Sequence, residues 1–256
     1  MGQNYPFDRG FMGFLSTQSQ LGYAQEEFDT TTAIYEDAVP RLSLVPAASR
    51  MQSWRYQVVK RGVDLVCATL MITACLVPGL MIAAAIALTS RGSIFYSEVR
   101  IGQGGRPFRI WKFRSMRTKM AKHSQIEAVP HLEFLSRWRT DKDCHDPRIT
   151  PVGRFIRRWS LDELPQLINV FRGDMSLVGP RPVVRAELPL YEHLLDFYLA
   201  ATPGLSGLWQ VSGRSNVNFS TRAKLDASYV RSWSLRSDLV ILARTLPAVL
   251  RRVGAR

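Results

Sequence analysis

The sequence predicts a mainly helical α+β fold, in which a re-entrant membrane helix hairpin carries a folded domain on the cytoplasmic face and amphipathic helices lie at the interface. Three observations predict it. Leu65 to Leu88 are 24 consecutive residues without a charge. The stretch from Ser160 to Gly173 carries the start and stop marks of a helix. From Asp238 to about Val253, apolar residues alternate with Arg244, Arg251 and Arg252.

Residues 1–50 are rich in Gln, Ser, Thr, Gly and acidic side chains and show no sustained period of 2 or 3.6, so they read as a flexible tail outside the fold. No basic-then-apolar signal peptide opens the chain, and Met1-Gly2 is followed by Pro6 where a myristoylation signal takes Ser or Thr; the amino terminus is expected inside the cell.

Residues 51–90 form the membrane segment. As a helix, the uncharged run covers about 36 Å, enough to cross a bilayer. Pro78-Gly79 sits at its midpoint, where proline deletes a hydrogen bond and a bend is expected. Both flanks are basic, with Arg55, Lys60 and Arg61 before and Arg91, Arg100, Arg106, Arg109 and Lys112 after, so both ends are expected on the cytoplasmic side. A helix-break-helix hairpin satisfies both flanks; a kinked span is the alternative. Trp54, Tyr56, Phe95 and Tyr96 border the run, where amphipathic rings favour headgroups.

Residues 91–256 form the remaining domain. Gly102-Gln-Gly-Gly matches no phosphate-binding glycine loop and reads as a turn. The final stretch contains Pro247 and reads as a broken amphipathic helix, lying on the membrane or packed on the core.

The net charge of +13 demands an anionic partner: nucleic acid, lipid headgroups or a phosphorylated substrate. The excess is concentrated, with 16 basic and 6 acidic side chains in residues 91–158. Cys67 and Cys75 lie in the apolar run and Cys144 stands apart, a spacing that suggests neither a disulfide framework nor a zinc site. Cys144-His145 is given no role.

The sharpest chemical signal is Ser160-Leu-Asp-Glu-Leu-Pro-Gln166. A capping box, Ser160 with Glu163, is the plain reading. Pro165 opposes it, because a helix begun at Ser160 would need the amide that proline lacks. A start near Asp162 puts two carboxylates at a helix N-terminus, where free amides lower acid pKa values and attract phosphate. Ionised Asp162 could then attack phosphorus and form an acyl phosphate, and Glu163 could bind Mg²⁺. Lys112, Arg114, Arg157 and Arg181 are candidates for an anion clamp, and Gly-Pro-Arg-Pro at 179–182 would hold Arg181 on rigid backbone.

Several motifs in order carry a resemblance: Lys60-Arg-Gly-Val-Asp64, Arg100-Ile-Gly, Lys112-Phe-Arg-Ser-Met116, Asp146-Pro-Arg-Ile-Thr150, Ser160 to Gln166, Arg172-Gly-Asp-Met-Ser-Leu-Val-Gly-Pro-Arg-Pro182 and Pro203-Gly-Leu-Ser-Gly-Leu-Trp-Gln210. From about Lys60 to Leu250 the chain resembles the bacterial sugar transferases, the monotopic polyprenol-phosphate phosphoglycosyl transferases. The resemblance implies a re-entrant helix, a catalytic domain on the cytoplasmic face of the inner membrane, and transfer of a sugar 1-phosphate from a UDP-sugar to undecaprenyl phosphate with release of UMP. It assigns Asp162 as covalent nucleophile and Glu163 as Mg²⁺ ligand. It places Lys112, Arg114, Arg157 and Arg181 on basic motif positions toward phosphate or uridine, and Asp226 on another motif position counted with substrate binding.

The carboxyl-terminal portion resembles the subgroup that starts exopolysaccharide repeat units with glucose or galactose. Val77 departs from the serine that many members carry before the central proline. Membrane lipids are expected partners and nucleic acid is not; a homo-oligomer is left open. Two rivals differ by assay: an anionic-lipid or nucleic-acid binding module would be indifferent to loss of the dyad, and an ordinary glycosyltransferase would release UDP.

Overall fold

The structure, a computed structural model, describes residues 53–54, 56–117, 148–212 and 217–250, all within the unit Leu42–Arg256. Residues 1–50, Cys144-His145, Asp146 and the chain beyond Leu250 lie outside the described residues.

A π-helical turn, Tyr56–Lys60, leads into helix α1, Arg61–Thr89. The helix is long and apolar enough to cross a membrane, and its middle is turned outward: Leu70, Leu80 and Met81 are each more than 60% exposed. In water that surface would be costly, whereas in lipid it needs no protein cover. The helix runs continuously through Pro78, so the expected break at Pro78-Gly79 is no interruption of helical structure. One proline removes one hydrogen bond, and the surrounding turns keep theirs. The threonines along α1 return their hydroxyls to carbonyls four residues earlier, as with Thr69 to Leu65 and Thr73 to Thr69, which removes exposed donors from an apolar surface.

Both ends of α1 dock on the folded domain. At the amino end, the Leu177 amide donates to Asp64 Oδ1 (3.1 Å), and Arg61 donates to the carbonyls of Val170 and Phe171. Lys60 forms a buried ion pair with Asp238 at 2.8 Å. Asp238 also accepts from the Tyr229 hydroxyl and the Trp233 indole, so three donors converge on the buried carboxylate. At the carboxyl end, Ile86 enters a core with Phe113 and Ile156.

Strands β1, Phe95–Ile101, and β2, Pro107–Phe113, form an antiparallel hairpin in register Phe95↔Phe113 to Ile101↔Pro107. The connecting Gln103–Gly105 turn confirms the turn expected at the glycine cluster; Gly104 takes φ +66, a conformation that glycine adopts without strain. Helix α2, Pro151–Arg158, begins with Thr150 capping the Gly153 amide and proline in the first turn. Helix α3, Gln166–Arg172, ends at Gly173 with φ +98. Strand β3, Ser176–Val178, then pairs in parallel with β4, Gly204–Ser206, after a helical excursion through Arg185–Leu194 and α4, Leu195–Ala200. Helices α5, Leu208–Ser212, α6, Phe219–Arg231, and α7, Leu235–Leu250, complete the described chain. The last is unbroken through Pro247, whereas the sequence had suggested a break there. Its Asp238 and Ile241 face the core while Leu239 and Val240 face out, so the helix packs on the domain by one face and leaves an apolar one exposed.

Candidate active site

Asp162 and Glu163 lie on a 3-10 turn, Leu161–Glu163, between α2 and α3. Neither start expected from the sequence is realised. Ser160 sits in the left-handed region (φ 54) without a side-chain cap, and the α-helix proper begins only at Gln166, after Pro165. The reason is local: proline has no amide for an i→i−4 bond, so the preceding residues close tighter i→i−3 bonds instead, Glu163 to Ser160 and Leu164 to Leu161. A non-glycine residue in this region costs about 1 kcal/mol or more, and such strain clusters where a chain must present functional groups.

Lys112 from β2 reaches the turn and donates to Glu163 Oε1 at 2.9 Å. Asn169 fixes the distance between β2 and α3. Its amide nitrogen donates to the Arg109 carbonyl (2.7 Å), while its Oδ1 accepts from the Trp111 amide (3.2 Å). Sequence patterning missed Asn169, whose position inside an apolar helix stripe, now fully buried, was its one visible signal.

A small cleft beside Glu163 is lined by Lys112, Gln166, Arg100, Arg181 and Gln210 among others. Arg181 is held there by two interlocked loops. The Gly179 amide donates to the Ser206 carbonyl (2.9 Å) and the Gly204 amide to the Pro180 carbonyl (2.7 Å). A Cβ at Gly204 would overlap the Gly179 backbone, and one at Gly179 would overlap the Thr202 carbonyl. The Gly-Pro-Arg-Pro and Pro-Gly-Leu-Ser-Gly motifs are thus two halves of one contact. Arg100 braces the same loop: it pairs with Glu98 at 2.6 Å and lies 3.9 Å from Glu187, and it donates to the Pro182 carbonyl.

The two carboxylates have opposite electrostatics. Burial and the neighbouring Glu163 charge push the Asp162 pKa up to about 6, against Lys112 and Arg157. Burial also opposes the charge on Glu163, but Lys112 and Arg181 outweigh it and hold that carboxyl below the usual range. The expected acidifying helix terminus is absent at Asp162, so desolvation and a like charge decide its pKa. Adjacent carboxylates with separated pKa values are a common arrangement at catalytic sites.

Of the residues singled out by sequence, Lys112, Arg157 and Arg181 are brought to the dyad, the last two acting electrostatically on Asp162 and Glu163 respectively. Arg114 is directed elsewhere. Its guanidinium donates to the carbonyls of Ser90 and Arg91 and to the Ser90 hydroxyl, at 2.8–2.9 Å, closing the carboxyl end of α1. Strand alternation would put Lys112 and Arg114, two apart, on one face, and the Arg114 amide still donates to the Ile94 carbonyl at 2.9 Å; the side chains part because the end of α1 offers Arg114 three acceptors, on Ser90 and Arg91.

Asp226 is also away from the dyad turn. It is 2% exposed, accepts from the Tyr191 hydroxyl at 2.9 Å and lies 4.0 Å from Arg222, and burial raises its pKa to about 7. Arg222 stacks over Trp209 at 5.0 Å, and Arg181 lies over the same ring at 6.0 Å. Asp226 therefore reaches the cleft through two intervening side chains.

Residues 55–252 match the family described as bacterial sugar transferase. The chain is 45% identical over 191 residues to an exopolysaccharide production protein ExoY of Sinorhizobium fredii, covering 74% of this chain and 84% of that protein. It is 47% identical over 200 residues to a UDP-galactose-lipid carrier transferase of Erwinia amylovora, covering 77% of this chain and 41% of that one. It is 35% identical over 211 residues to the UDP-glucose:undecaprenyl-phosphate glucose-1-phosphate transferase of Escherichia coli, covering 79% of this chain and 42% of that one. The chain thus spans most of ExoY and less than half of the two longer relatives. With the dyad, its basic cleft and the apolar helix held by one domain, the chain belongs to the bacterial sugar transferase family.

Proposed function

We propose that this protein transfers a sugar 1-phosphate, glucose or galactose 1-phosphate, from a UDP-sugar to undecaprenyl phosphate and so begins an exopolysaccharide repeat unit. The observation that carries the proposal is the placement of a partly desolvated carboxylate pair, Asp162 and Glu163, against Lys112 and Arg181, in a domain that grips both ends of an apolar helix. The relatives' names, which speak of galactose-lipid carrier and glucose-1-phosphate transfer, support the substrate class.

In the proposed reaction, an Asp162 Oδ attacks the phosphorus that bears the sugar. The bridging P–O bond breaks, and UMP leaves with the bridging oxygen. An oxygen of undecaprenyl phosphate then attacks the same phosphorus, the aspartyl P–O bond breaks and the carboxylate is regenerated. Splitting one displacement into two is the gain of covalent catalysis. Lys112 and Arg181 hold diphosphate charge, and Arg157 opposes protonation of Asp162.

The donor set fits Mg²⁺. Glu163 offers hard carboxylate oxygens at the cleft, and Mg²⁺ takes one or two carboxylates together with substrate phosphates and water. Bound there by Glu163, the cation would neutralise the leaving phosphate.

The membrane segment acts as one continuous helix that bends at Pro78 and re-enters, with both ends and the catalytic domain on the cytoplasmic face of the inner membrane. What supports this is that Arg61 and Asp64 near one end and Ile86 near the other contact a single domain while the intervening turns are exposed. Incubating enzyme with UDP-sugar and no acceptor, then digesting it, should yield a phosphosugar adduct on Asp162 with stoichiometric UMP. Robust turnover without that adduct, or release of UDP, overturns the proposal.

A further inference from the structure

We propose that the outward face of α2, formed by Arg154, Phe155 and Arg158, collects the polyprenyl phosphate acceptor and hands its phosphate to Arg157 and Asp162; this rests on the transferase reading above and names the acceptor's seat. The inner face of α2 is fixed by packing. Gly153 lies so close to the Ser115 carbonyl that no Cβ would fit. Ile156, with no exposed surface, joins Ile86 and Phe113, and Val152, Ile82 and Ala83 close around them. A helix locked on 153 and 156 must turn 154, 155 and 158 away, and all three are exposed, Phe155 by 58%.

The depth of this face follows from α1. Ile82 and Ile86 belong to the last turns of the uncharged run, which ends at Leu88 before Arg91. A helix packed there lies where hydrocarbon gives way to headgroups, so Phe155 can meet isoprenoid units while the flanking arginines meet phosphate.

The charges also point to an anionic occupant. The eight residues of α2 contain three arginines and no acid, and Arg154 and Arg158 stand one turn apart, a like-charge pair that opposes helix stability. Among the described residues, Arg154, Arg157 and Arg158 have no ion-pair partner. Arg157 already acts on Asp162. Positive charge therefore runs from the lipid-facing side of α2 to the nucleophile, a path that serves a lipid phosphate bound for reaction rather than a bulk headgroup.

The test uses full-length enzyme in lipid nanodiscs with R154Q, R158Q and the double variant. Donor half-reaction is read as UMP released without acceptor, and acceptor use as the undecaprenyl phosphate concentration that half-saturates turnover. Each lost arginine is expected to raise that concentration about fivefold, and the pair about 25-fold, with donor half-reaction unchanged. The R154K/R158K variant should restore acceptor use, because a point charge at headgroup depth suffices. Unchanged acceptor half-saturation in the double glutamine variant overturns the proposal. So does a double lysine variant as impaired as the glutamine one. Loss of binding to phosphatidylglycerol vesicles with acceptor use intact assigns the face to bulk lipid and also overturns it. If wild-type enzyme turns over but releases no UMP without acceptor, the covalent reading fails on its own, and the acceptor site is judged by the same fivefold steady-state shifts.

Discussion

Protonating Asp162 should switch off the donor half-reaction, and its acid limb is set by the structure. Burial and the adjacent Glu163 place this carboxyl at about 6. With that value about nine-tenths of the enzyme is ionised at pH 7 and about one-tenth at pH 5, so kcat/KM for the UDP-sugar should fall roughly tenfold across those two units. An ordinary carboxylate near 4 would change by less than about 10% over the same range. The sign is fixed because the nucleophile is the charged form: activity is gained as pH rises through the folded-state value. Lys112 lowers the Asp162 pKa, so K112M should move the limb to higher pH, by about one unit for an opposite charge at this range. Rapid-quench measurement of UMP release from pH 4.5 to 8, at fixed Mg²⁺, reads both effects. A wild-type midpoint near 4, or a K112M limb displaced to lower pH, refutes the electrostatic account of the dyad.

Further outcomes follow from single contacts. Replacing Gly204 by Ala forces apart the loops that hold Arg181 and strains two backbone hydrogen bonds; a loss of about 2–3 kcal/mol, seen in thermal denaturation, should accompany a raised donor KM. Arg114→Gln removes charge-assisted bonds to Ser90 and Arg91, so detergent-solubilised protein should lose about 2 kcal/mol of stability with a smaller effect on donor KM than K112M has. Lys60→Met leaves Asp238 buried without its cation and should cost about 3–5 kcal/mol, read as a fall in melting temperature. Asn169→Leu should loosen β2 from α3 and lower kcat by weakening the Lys112 contact to Glu163, measurable at saturating donor.

Much of the fold was legible where the signal is local. The 24-residue uncharged run yielded a helix, the glycine cluster a hairpin turn, and Gly173 a helix stop, because composition and φ preference act within a few residues. Proline breaks these helices less than its local chemistry suggests. Pro78 and Pro247 both lie inside continuous helices, where the loss of one hydrogen bond leaves neighbouring turns intact. At the dyad the same residue acted as expected in kind but not in place: Pro165 excluded a helix from Ser160, and the outcome was a 3-10 turn rather than a helix starting at Asp162. Arg114 and Asp226 show a further limit. Both are motif residues, yet one closes the end of α1 and the other sits behind Arg222 and Trp209.

By itself the sequence determined the apolar anchor, the concentrated positive charge and the pair of carboxylates, since each depends on residue type and order along the chain. Only the tertiary structure decided which cations meet which carboxylate, because Lys112, Arg157 and Arg181 converge from a strand, a helix and an interlocked loop. The pKa of Asp162 was decided there too. Desolvation and a like charge are properties of surroundings, and they reverse the acidifying effect that a helix terminus would have had.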